Sequence, residues 1–325
     1  MTLQRLVHGL QHHCDDTVQV VRPCQDERDC ALREEHVLRL GLPMPGYAGL
    51  RFGLPSLYAL TARWRHRPPD VVHVATEGPL GWSALRAAEG LGIPVTSSFH
   101  TNFHTYSQHY GVGFLTRVVL TYLRRFHNRC HCTMVPTAVQ AAELATAGFR
   151  NTQVLGRGVD TVLFHPGRRD PALRAGWGAG PDDPVLLYVG RLAAEKNLAL
   201  LLQTLDELRA TRPELRLVLV GDGPERQRVA AHPGCILAGS RRGADLARHY
   251  ASADCFCFPS MSETFGNVLT EAMASGLACL GFDYAAAHEV ITDGRDGLLV
   301  PFGDADAFRR RAPALLGDPE LIARL

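Results

Sequence analysis

The chain has 325 residues, 46% of them apolar and 21% charged, with a formal net charge of +1. That length suits two open α/β domains of about 150 residues each better than one. The near-neutral balance excludes a global field for nucleic acid, so attraction to an anionic membrane would need a local patch.

Short apolar strand patterns alternate with helical ones from the first strand onward. The chain opens on a helical pattern, Leu3 to Leu10, and reaches its first strand at Thr17 to Val21. Asp70 to Ala75, Ile93 to Phe99 and Cys132 to Pro136 read as further strands, with helices over Trp82 to Leu91 and Gly113 to Arg129 between them. The pattern restarts after about residue 156. Pro184 to Gly190, Leu215 to Gly221, Cys235 to Gly239, Ala253 to Pro259 and Ala278 to Phe282 read as strands. Asn197 to Thr211, Ala244 to Ser252 and Asn267 to Ser275 read as helices. Strand, crossover helix and strand repeated in this way implies parallel sheets covered on both faces. Two such series predict two doubly wound domains, residues 1–155 and 156–325.

Both ends look cut. A parallel α/β domain normally begins with a strand whose following loop meets the ligand, and here a helical pattern comes first. The other end stops inside the helical pattern Ala305 to Leu325. No apolar run reaches the roughly 18 residues of a membrane-spanning helix, and the N-terminal stretch has no signal-peptide core. Nine cysteines are scattered. Cys130/Cys132 and Cys255/Cys257 form C-x-C pairs that match no zinc-site spacing, so reduced thiols are expected.

Four segments carry the chemistry. Ser262-Glu-Thr-Phe-Gly-Asn-Val-Leu-Thr-Glu-Ala272 follows a strand and enters a helix, placing it at the strand ends where open α/β sheets bind ligands. Backbone amides around Phe265, Gly266 and Asn267 would open that helix toward an anion, and Glu271, one turn on, could reach a pair of vicinal hydroxyls. Alone, Glu263 reads equally well as a helix-entry acid and Glu271 as a solvated helix residue. In Gly190-Arg-Leu-Ala-Ala-Glu-Lys-Asn197, Arg191 and Lys196 sit between a buried strand and the next helix, where two cations can neutralise a diphosphate. Of the 34 basic residues only Lys196 is lysine. An ammonium kept against so strong an arginine bias adds weight to that loop. Gly221-Asp-Gly-Pro224 reads most simply as a turn. His100, in Ser98-Phe-His-Thr-Asn-Phe103, lies at a strand's carboxyl end. Arg157-Gly-Val-Asp160 marks the passage between domains. Serine-nucleophile elbows, Walker loops, H-E-x-x-H helices and G-x-G-x-x-G fingerprints are absent from the sequence.

Together, H-T after an N-domain strand, R-G-V-D at the hinge, G-R-x3-E-K-N, G-D-G-P and S-E-T-F-G-x4-E-A resemble the retaining GT-B glycosyltransferases of family four over nearly all of residues 1–305. Leu42-Pro-Met-Pro-Gly46, Pro69-Asp-Val-Val-His73 and Phe99-His-Thr-Asn-Phe103 look closest to a bacterial subgroup containing GDP-mannose-dependent α-mannosyltransferases and sulfoquinovosyl diacylglycerol synthases. Tyr284-Ala-Ala-Ala287 leans toward the former.

The resemblance implies two Rossmann-like domains facing a cleft, N-terminal on the acceptor side and C-terminal for the donor nucleotide. It places Arg191 and Lys196, after Gly190, on the donor diphosphate, and Glu271 on the ribose hydroxyls. Glu263 would lie beside the transferred sugar, and Phe265 to Asn267 against the distal phosphate or hexose. His100 would contact the sugar from the other domain, with Gly239, Ser240 and Arg241 near the base. It implies hexose transfer, mannose from GDP-mannose, to a lipid or glycan hydroxyl, with no resident cofactor and no metal. The location would be cytoplasmic, with Gly113 to Arg129 readable either as a core helix or as a peripheral hold on the inner face of the plasma membrane. A UDP-sugar-dependent glycolipid synthase and a non-catalytic sugar-nucleotide-binding paralogue are the competing readings.

Overall fold

A computed structural model describes residues 2–14, 16–25, 36–43, 51–100, 113–263 and 265–317. The chain divides into two compact units, Met1–Leu155 and Gly156–Leu325.

In the first unit, β5 (Val72–Val74), β6 (Val95–Ser98), β7 (Cys132–Val135) and β8 (Thr152–Val154) form a parallel sheet in that order. Ahead of it, β1 (Val20–Pro23) pairs in parallel with β2 (His36–Arg39), and β3 (Gly41–Pro43) pairs antiparallel with β4 (Arg51–Gly53). The expected helices are present as Thr2–His13, Pro79–Gly90 and Gly113–His127. Leu57–His66 and Ala138–Thr146 are additional. Pro79 starts its helix where a missing N–H costs nothing, and the Thr137 hydroxyl caps Ala138–Thr146 by accepting from Gln140 N. Leu60, Trp64, Val74, Leu85 and Phe126 share one core, and Phe99, Leu144 and Phe149 another. Cys24, just past β1, is disulfide-bonded. This departs from the expectation of reduced thiols at that one described cysteine, the other seven being free.

The second unit is a six-stranded parallel sheet made of β9 (Val185–Val189), β10 (Arg216–Val220), β11 (Cys235–Gly239), β12 (Cys255–Phe258), β13 (Ala278–Phe282) and β14 (Leu298–Val300). Every residue of β9, β12 and β13 is buried, as expected for strands covered on both faces. Alternate residues serve opposite layers. Leu186 and Tyr188 enter one core, while Val185, Leu187 and Val189 enter the other. The helix Leu198–Arg209 covers the first face, and Gly243–Ser252 and Asn267–Ala274 cover the second.

The strand order is β11-β10-β9-β12-β13-β14. The chain winds outward from β9 to β11, then returns to lay β12 against the other side of β9, pairing Cys255 with Leu186 and Phe256 with Leu187. The direction of winding therefore reverses between β9 and β12. Loops leaving the carboxyl ends of these two strands flank this switch point, the usual ligand position in such sheets.

Candidate functional site

The loop after β9 carries Arg191 and Lys196. It leaves the strand at Gly190, where a Cβ would come within 2.7 Å of the Tyr188 hydroxyl. That hydroxyl donates to Arg191 O at 3.0 Å. A single 3-10 turn, Ala194–Lys196, leads to Asn197 in the left-handed region (φ 53°) and then to the helix Leu198–Arg209.

The Gly221-Asp-Gly-Pro224 segment is more than a turn. A Cβ on Gly221 would lie 1.8 Å from Gly190 O, and one on Gly223 would lie 2.3 Å from Leu192 O. Leu192 N donates to Asp222 O and Glu225 N donates to Leu192 O, each at 2.9 Å. The two glycines let the β10 loop lie directly on the backbone of the cation-bearing loop.

The loop after β12 holds Glu263. Residue 264 lies outside the described residues, as do residues 101–103 and 44–46. Gly266, at φ 101°, turns the chain into the helix Asn267–Ala274, and a Cβ there would meet Phe258 Cζ at 3.0 Å. Phe265 is buried, and its carbonyl accepts from Ala286 N at 2.9 Å. From the loop after β13, the Tyr284 hydroxyl donates to Glu263 O at 3.2 Å.

These loops meet across the switch point. Lys196 Nζ donates to Glu263 Oε1 at 2.5 Å, Ser262 O at 2.9 Å and Ser260 Oγ at 3.4 Å. The Ser260 hydroxyl also donates to Glu263 Oε1 at 3.0 Å. A backbone bond from Met261 N to Glu195 O at 3.2 Å joins the same two loops. The Lys196 and Glu263 side chains are only 17% and 16% exposed, so water screens their attraction weakly. Arg191 is more open and pairs with Glu195. The electrostatics register the same convergence. Burial, then the charges of Glu263 and Glu195, push the Tyr188 phenol well above its ordinary range. Burial acts to raise the Glu195 carboxyl, but hydrogen bonds from Arg191 and its own amide bring it below the ordinary value on balance.

The remaining predicted residues are placed as follows. Gly239 ends β11 at φ 72°, and Ser240 and Arg241 after it are exposed. Arg241 folds back on Ala238 O at 2.8 Å and on Asp245 at 3.1 Å. Glu271 does not reach into solvent. It is 2% exposed, and its Oε2 accepts from the Tyr250 hydroxyl at 3.3 Å. Tyr250 is itself fully buried and needs an acceptor, which holds the carboxylate inward.

In the first unit His100 is exposed just past β6. Its neighbour His73 bridges the hydroxyls of Thr96 and Ser98, each at 2.9 Å. Burial, and secondarily the His100 charge, lowers the His73 pKa. Ser97, His127 and Glu77 form a chain of hydrogen bonds at 2.9 and 3.0 Å that imitates a nucleophile triad. Ser97 is wholly buried and also bonds Thr133, so the chain braces the sheet instead of presenting a nucleophile.

Sequence reasoning missed Tyr188, Tyr250, Ser260 and Arg157 as parts of this region. The Arg157 guanidinium lies 5.9 Å from the centre of the Phe265 ring, and burial lowers its pKa. Arg157 was visible only as part of the R-G-V-D passage between domains, and its approach to Phe265, like that of Tyr250 to Glu271 and Ser260 to Lys196, joins residues distant in sequence.

Comparison with known proteins decides the family. Residues 2–163 match the model for Glycosyltransferase Family 4, and residues 183–318 match that for Glycosyl transferases group 1. A GDP-mannose-dependent alpha-mannosyltransferase of Mycolicibacterium smegmatis is 36% identical over 279 residues, covering 85% of this chain and 68% of that protein. The chain belongs to the family-four glycosyltransferases. The sulfoquinovosyl transferase of Arabidopsis thaliana is 31% identical over 86% of this glycosyltransferase, which covers 56% of the plant protein. Among solved structures, Anabaena HepE in complex with UDP superposes with a TM-score of 0.75 at 19% identity, over 98% of this chain and 87% of that one. The likeness is one of GT-B fold, with two α/β domains built on parallel sheets. Among the described residues no helix is long and apolar enough to cross a membrane.

Proposed function

We propose that this glycosyltransferase moves mannose from GDP-mannose to a lipid or glycan hydroxyl with retention of the α configuration. The observation that carries this reading is the meeting of Lys196 and Glu263 at the switch point between β9 and β12. The donor assignment rests on relatives at 34 to 36% identity that are named GDP-mannose-dependent alpha-mannosyltransferases.

In this mechanism the second unit binds the donor and the first serves the acceptor side. Arg191 and Lys196 neutralise the diphosphate as it leaves, a task a metal performs elsewhere, so the reaction is proposed to need no metal or cofactor. Lys196 must exchange at least one β12-loop acceptor for a phosphate oxygen, since an ammonium has three donors. Glu263 then stands beside the developing positive charge of the sugar, with its backbone fixed by Tyr284. First-turn amides at Gly266 and Asn267 face the distal phosphate or hexose. Glu271, turning out from its buried bond to Tyr250, holds the ribose hydroxyls. Gly239, Ser240 and Arg241 lie near the base, and His100 contacts the sugar. A diphosphate oxygen takes the proton of the incoming hydroxyl on the same face.

For a lipid acceptor, the helix Gly113–His127 supplies a surface. Val118 and Tyr122, 49% and 43% exposed, lie one turn apart among exposed Arg117, Arg124 and Arg125. That combination suits an anionic headgroup layer, and with it a cytoplasmic protein held on the inner face of the plasma membrane. Flotation with anionic vesicles tests it, and no binding would refute it. The sulfoquinovosyl relative supports a second reading, a UDP-sugar-dependent glycolipid synthase. A calorimetric panel of GDP-mannose against UDP-sugars separates the two. Mannosyl transfer predicts binding and turnover with GDP-mannose, and the second reading predicts them only with a UDP-sugar.

A further inference from the structure

Both cations of the β9 loop face carboxylates of the chain itself. Lys196 is bound by Glu263 across the switch point, and Arg191 by Glu195 within its own loop. The two members of the second pair differ in freedom. Glu195 sits in the 3-10 turn Ala194–Lys196, its carbonyl held by Met261 N and its side chain 29% exposed, while the Arg191 side chain is 56% exposed. A fixed carboxylate therefore holds a guanidinium that can swing away from it. The Glu195 carboxyl is ionised at neutral pH, its pKa lying below the ordinary value despite burial.

We propose that Glu195 is a positioning residue that stands in for the donor diphosphate. It holds Arg191 while the site lacks a nucleotide, yields it when a nucleoside diphosphate enters, and reclaims it as the product leaves. This rests on the reading that Arg191 binds the diphosphate. The consequence is a built-in limit on affinity. An exposed ion pair shifts the population of its two states by up to about five-fold. Apparent affinity falls by the fraction of the binding-competent state. Releasing a bound nucleoside diphosphate is correspondingly faster, which matters where product release limits turnover.

The test is calorimetric titration of GDP, UDP and inorganic pyrophosphate into the full chain and into Glu195→Gln, Arg191→Ala and the double variant, with thermal melts of each. Glu195→Gln is expected to bind GDP about three- to ten-fold more tightly, combining release of Arg191 with loss of a repelling charge. In the Arg191→Ala background the same change should gain less than about two-fold. Tight GDP binding by the wild type with an equal or weaker Glu195→Gln of unchanged melting temperature overturns the proposal and leaves the diphosphate site standing. A full gain that persists without Arg191 also overturns it, since the effect would then come from the general field. Wild-type protein that binds neither GDP nor UDP overturns the underlying diphosphate reading, and this proposal with it.

Discussion

Gly221→Ala isolates the contact between the β10 and β9 loops. The new Cβ would stand 1.8 Å from Gly190 O, against more than 3 Å for ordinary contact, so the loops must part by over an ångström. That separation stretches the bonds Gly190 N to Val220 O, Leu192 N to Asp222 O and Glu225 N to Leu192 O. Losing two or three such bonds at about 1 kcal/mol each, with added backbone strain, predicts a loss of about 3 kcal/mol. For a domain of this size that lowers Tm by about 6–12 °C. Gly239→Ala is the control, because Gly239 also has a positive φ (72°) but open space around its Cβ position, so only the conformational cost of about 1 kcal/mol applies. Differential scanning calorimetry and urea melts of both variants give the comparison. If Gly221→Ala loses no more stability than Gly239→Ala, the loops do not lock together as described.

Tyr250→Phe deprives the buried Glu271 carboxylate of its hydroxyl donor and should cost about 1–3 kcal/mol in urea melts; an unchanged midpoint would contradict the inward placement of Glu271. Ala285 adopts φ 51°, ψ −125°, a conformation suited to glycine, so Ala285→Gly should raise stability by about 1 kcal/mol, and a lower Tm would count against that strain. His73 has its pKa lowered in the folded state, so its contribution is complete above about pH 6.5, the unfolded value, and is lost as pH falls through the lower folded value. Urea melts between pH 7.5 and 5 should show stability falling toward acid, with a shallower fall in His73→Gln; parallel slopes would refute the assignment.

The α/β alternation was legible because the buried strands are short apolar runs, with glycine or proline directly after Val185–Val189, Arg216–Val220 and Cys255–Phe258. Cys235–Gly239 and Ala278–Phe282 match their expected limits residue for residue. The motif around Glu263 and the loop around Lys196 were visible as separate pieces, since each follows a strand directly. Their meeting depends on β12 returning to β9, a non-local pairing that no window of sequence contains. The same holds for Tyr284 against Glu263 and for the glycines at 221 and 223, whose purpose appears only with the neighbouring loop in place. Short β3 and β4 escaped notice because three residues carry too little alternation to stand out.

Calorimetric titration of GDP-mannose into the wild-type chain and Lys196→Ala, with melts to confirm folding, probes the diphosphate site most directly. Stoichiometric binding by the wild type, weakened on the order of 100-fold in the variant, is the expected result. Equal affinity in a folded Lys196→Ala would show that the Lys196–Glu263 pair braces the sheet edge and holds no phosphate.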